Sequence, residues 1–105
     1  MTKKEERAYF TDHYNYVFLF HKKYQGSKYS DKEWSEILAE AETIWNKFNK
    51  DLHVLELLCA ALEEIERHCG HKNMWNTQKF LEVHLRAIYG AKDNKELGEK
   101  LINGG

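Results

Sequence analysis

No proline occurs anywhere in the 105 residues. Proline ends helices and punctuates loops, so a chain without it is free to run long, uninterrupted helices. The apolar residues recur at helical spacing and show no strand-like alternation. The expected fold class is therefore all-α. Four helices joined by short connections pack best as an antiparallel up-down bundle, here with a short fifth helix at the C-terminus. The length fits one domain over residues 1–105.

The first helix is expected over about Thr2 to Gln25, with Gly26 as its stop. Phe10, His13, Tyr14, Val17, His21 and Tyr24 share one face at 100° per residue. Tyr9, Tyr16 and Phe20 widen that face on one side and Phe18 on the other. The second helix opens on a capping box, Ser30-Asp-Lys-Glu33, in which each end bonds the other's backbone amide. Trp34, Ile37, Leu38, Ala41, Ile44, Trp45 and Phe48 fall within about 120° of arc and form its buried side. The third is expected over about Asp51 to Cys69, ending at Gly70, and is apolar round more than half its circumference. Asn46, Asn49 and Asp51 favour a turn between helices two and three. The apolar phase runs on across it through Phe48, Leu52, Leu55, Cys59 and Leu62. A single helix of about 40 residues, roughly 60 Å long, is the competing reading, and it would require a dimer. The fourth helix is expected over about Asn73 to Tyr89, stopped by Gly90. The fifth, about Asn94 to Ile102, carries Leu97 and Leu101, with Gly98 weakening it.

Charge excludes several functions. Sixteen basic and seventeen acidic residues give a formal charge of −1, so no broad attraction to nucleic acid or anionic lipid is expected. Lys3, Lys4 and Arg7 lie at one end of the first helix. Lys22, Lys23, Lys28 and Lys32 lie near the other, where they complement the helix dipole. A helix-turn-helix from helices three and four would present Lys79, Glu82 and Arg86, too mixed a set to read a groove. Charges in every window rule out a membrane span. The charged opening Met1–Arg7 is not expected to act as a secretion signal. Cys59 and Cys69, ten residues apart on one helix, are separated by roughly 15 Å, beyond disulfide reach. Two unpaired thiols point to the cytoplasm.

Catalytic and metal motifs are scarce. There is no Gly-x-Ser-x-Gly elbow, phosphate loop or His-Glu-x-x-His. No histidine has a carboxylate three residues before it, which removes a ferritin-like di-metal centre. His68-Cys69-Gly70-His71, with Cys59 and His53 upstream, contains zinc-type donors, but Cys59 lies too far along the helix to join the others, and a site would have to borrow His13, His21 or His84 from another helix. Helix-terminal histidines and a small buried thiol account for that run. Glu63, Glu64 and Glu66 read as a solvated face, and the Gly104-Gly105 tail as a frayed end. No metal, cofactor or catalytic residue is expected.

The first helix carries the strongest signal. Seven of the fourteen aromatic residues lie between Tyr9 and Tyr24. Apolar and aromatic side chains cover about 200° of it, more than the 100–140° a bundle needs. Aromatics dominate interface hot spots. The expected function is protein–protein association, with a second copy of the chain or another protein as partner. Tyr9, Tyr16, Phe18, Leu19 and Phe20 are the expected binding residues. The alternative is a small ligand-binding or catalytic domain using His13 or His21, with Tyr14, in an aromatic pocket.

Overall fold

The computed structural model describes residues 1–26, 28–71 and 74–102. The described residues are all-helical: α1 (Lys3–Lys23), α2 (Asp31–Lys47), α3 (Leu52–His68), α4 (Trp75–Tyr89) and α5 (Asn94–Ile102). The packing is that of a helical bundle. α1, α2 and α4 each pack against α3, and α5 packs against α4.

Local chemistry sets the ends. The Thr2 hydroxyl caps α1 by accepting from the Glu5 amide. The capping box expected at Ser30 and Glu33 is present, with both bonds made. α2 and α3 are two helices. Asn49 and Lys50 adopt left-handed backbone, φ 56° and 58°, which breaks the helical hydrogen-bond ladder. Asp51 then caps α3 by accepting from the Val54 amide at 3.2 Å. The Trp45 indole fastens this corner by donating to the Asp51 carbonyl at 2.9 Å. The continuous apolar stripe across residues 48–52 thus folds back on itself. Gly70 and Gly90 stop α3 and α4 in left-handed conformation, φ 81° and 66°, as glycine at a helix end permits.

Gly26 differs from expectation. Tyr24 closes α1, and Gly26 has no positive φ. Its role is close approach: its amide donates to the Tyr29 hydroxyl at 2.7 Å, and a Cβ there would sit 2.6 Å from the same oxygen. The expected start of α4 at Asn73 and the Gly104-Gly105 tail lie outside the described residues.

The core is centred on α3. Val54, Leu55, Leu58 and Leu62 are fully buried there, against Ile37, Ala41 and Trp45 of α2, Val17 and Phe20 of α1, and Phe80 of α4. Both cysteines are free. Burial pushes the Cys59 thiol up to about 12, helped by Glu63 and Glu56, so it is a packing residue and not a nucleophile.

Glu66 corrects the reading of a solvated acidic face. It is fully buried and caps α4 from a different helix. One carboxylate oxygen accepts from the Thr77 amide at 2.5 Å and the Thr77 hydroxyl at 2.6 Å. The other meets the Asn76 amide at 3.2 Å and the His71 Nδ1 at 3.0 Å. Met74, the residue preceding α4, supplies no side-chain cap. Burial alone would raise the Glu66 pKa. His71, Thr77 and the amides of Thr77 and Asn76 outweigh it and hold the carboxyl below its ordinary range.

The bundle is flat, 40 × 39 × 19 Å, with a radius of gyration of 14.9 Å. A compact domain of this length has a radius near ~13 Å. Less of the helical surface is covered than in a rounded monomer. No helix among the described residues is long and apolar enough to cross a membrane.

Candidate functional site on α1

α1 buries only His13, Val17 and Phe20 of its 21 residues. The rings it leaves outside form a pattern. Phe10, Tyr14 and Phe18 are 43%, 54% and 61% exposed. Spaced at i, i+4 and i+8, they form one ridge along the helix surface. Tyr16 and Leu19, 39% and 62% exposed, flank the core contact on the other side. Tyr16 packs edge-on against Phe48 at 5.4 Å, with the Lys47 ammonium 5.1 Å from its ring. Tyr16 and Leu19 also line a shallow groove between α1 and α2, together with Lys23, Glu40 and Ile44.

Two of the expected binding residues face inward. Phe20 is 2% exposed and belongs to the core. It lies seven residues, about 20° of helix rotation, from buried His13, so it sits within the packed face and not at its margin. Tyr9 is half-buried, and its hydroxyl donates to the Asp51 carboxylate. Tyr16, Phe18 and Leu19 are exposed, as are Phe10 and Tyr14.

His13 and Tyr14 both approach His53 of α3. His13 Nδ1 lies 3.2 Å from His53 Nδ1, and the Tyr14 ring meets the His53 ring edge-on at 5.6 Å. His21 is half-buried two turns further along α1, about 12 Å from His13 along the axis. The three residues of the expected pocket therefore do not converge on one point. His13 is wholly enclosed, packed by Tyr9 at 3.9 Å and Phe48 at 4.7 Å between ring centres.

A second histidine among aromatic rings lies on α4. His84 sits between Trp45 and Phe80, at 4.7 and 4.2 Å, and donates from Nδ1 to the Phe80 carbonyl at 2.7 Å. It borders a groove of about 480 Å³ between α2 and α4, also lined by Trp34, Leu38, Trp75 and Val83.

The zinc-type run 68–71 is dispersed. His68 pairs with Glu64 at 3.2 Å on the surface, and His71 turns to Glu66. No protein-family model, curated protein or solved structure matches the chain.

Proposed function

We propose that the protein works by association, and that its first partner is a second copy of itself, docked through the outer face of α1. The observation that carries this reading is the ridge Phe10–Tyr14–Phe18. The three rings are exposed, and their spacing is the same read in either direction from Tyr14. A two-fold axis through Tyr14 would set Phe10 of one copy against Phe18 of the other, and Tyr14 against Tyr14. That is the self-complementarity an isologous dimer needs. Three half-exposed rings offer roughly 300 Å² of aromatic surface, against roughly 800 Å² per partner in a standard interface. The rings would form the centre, with Lys3 and Arg7, on the same face, contributing to a polar rim.

The same reading takes the chain as one cytoplasmic domain whose four main helices run up and down in antiparallel order. It assigns no catalytic residue, no cofactor, no membrane contact and no nucleic-acid partner. The test is mass by light scattering and sedimentation across a concentration series. Phe18→Asp, at a mostly exposed position, is expected to fold normally and remain monomeric where the parent dimerises. A parent that stays monomeric to hundreds of micromolar would reject the dimer.

One observation favours a second reading. The groove between α2 and α4 is lined by Trp34, Trp75, Phe80 and His84, whose rings give it an aromatic wall. A small aromatic or apolar ligand would suit it. Tryptophan fluorescence quenching by such a ligand, lost in Trp75→Ala, would support this reading over association.

A further inference from the structure

The geometry points to a divalent-metal site formed by His13, Asp51 and His53, of the kind that holds zinc or a neighbouring first-row ion. It stands independently of the dimer. Among the described residues, one potential ligand atom from each of the three lies within 4.8 Å of the others. Two imidazoles and a carboxylate are a donor set that zinc accepts. The spacing also fits. Two ligands about 2.0–2.1 Å from a tetrahedral ion stand about 3.3 Å apart, and the two Nδ1 atoms are separated by 3.2 Å.

The three residues come from two elements locked against each other. His13 is on the core face of α1. Asp51 caps α3, and His53 lies in its first turn. Asp51 is held in place by the Val54 amide and the Tyr9 hydroxyl, the outer-shell contacts that orient a ligating carboxylate. A carboxylate has about four acceptor positions, so these two bonds leave room for a metal.

A plain hydrogen bond between the two rings is the competing account. It engages the same Nδ1 of His13 that a metal would, and His13 Nε2 is buried without a hydrogen-bond partner among the described residues in either case. One such bond compensates poorly for taking the whole ring out of water, whereas a coordination bond to an ion compensates strongly.

The experiment uses the full chain without a histidine tag, stripped with a chelator and titrated with zinc, then with cobalt(II). One equivalent should bind with a Kd in the micromolar range or tighter, raise the Tm reversibly, and give the visible absorption of low-symmetry cobalt. His53→Gln should weaken binding by at least about tenfold. Asp51→Asn, which keeps a helix-capping side chain, should do the same and stands in if His53→Gln disturbs the fold. His68→Gln combined with Cys69→Ser should leave affinity within about twofold. Absence of saturable binding at millimolar zinc, or equal affinity in the parent, His53→Gln and Asp51→Asn, would overturn the assignment.

Discussion

α1 and α3 are both rich in apolar residues, yet they use them differently. α3 buries Val54, Leu55, Leu58, Cys59, Ala61, Leu62, Ile65 and even Glu66 within 17 residues. α1 buries three of 21 and leaves Phe10, Tyr14, Tyr16, Phe18 and Leu19 outside. The difference follows from position. α3 has α1, α2 and α4 packed around it. α1 lies at the side of a molecule only 19 Å thick, so a single sector of it meets the core. Most apolar residues on α3 are held by the fold, with Leu52 at its first turn left exposed. An apolar residue on the outer face of α1 is free for something else.

The largest expected effects lie on α3. Leu62→Ala removes a fully buried side chain and should cost about 3–5 kcal/mol in chemical denaturation. Glu66→Ala should cost about 3 kcal/mol or more, because it strands the Thr77 and Asn76 donors and uncaps α4. If Glu66→Ala were neutral, α3 would not be the organising element described.

On α1 the contrast is internal. Phe20→Ala should cost about 3 kcal/mol. Phe18→Ala, two residues away, should change monomer stability by less than about 0.5 kcal/mol. Similar costs for the two would erase the division between inner and outer faces.

Acid should separate the helices in a smaller, graded way. His13 has a folded pKa depressed below 6.5. The unfolded chain therefore takes up its proton first, and this contribution is lost as pH falls from about 6.5 through the folded value. Glu66, depressed below 4.5, holds its contribution until pH falls below about 4.5. Amide protection factors, corrected for the intrinsic exchange rate, should fall in α1 at mildly acidic pH, with the α3–α4 junction following only in stronger acid. The reverse order, or His13→Phe leaving the first step intact, would contradict the assignment.

Much of the fold was legible because its signals are local. The Ser30–Glu33 box, the Asp51 cap, the Asn49–Asp51 break and the stops at Gly70 and Gly90 each depend on a few adjacent residues. The surplus of rings on α1 was legible as an arc wider than one core can cover. Which rings would stay outside was not. Phe20 and Phe18 differ by a helix rotation that periodicity reads correctly only once the centre of the packed face is known. Glu66 was misread because its partners, Thr77 and Asn76, lie beyond the next turn. His13 and His53 are 40 residues apart, and no spacing rule joins them. The only hint was a histidine on each of two apolar helices, one of them two residues after a capping aspartate.

Association of two copies through the outer face of α1 is the proposal on which the functional reading stands. Sedimentation velocity of the parent and Phe18→Asp over a micromolar range decides it. The parent should shift from about 12.5 kDa towards twice that mass as concentration rises, while the folded variant stays at the lower value. The same mass for parent and variant throughout would remove the dimer.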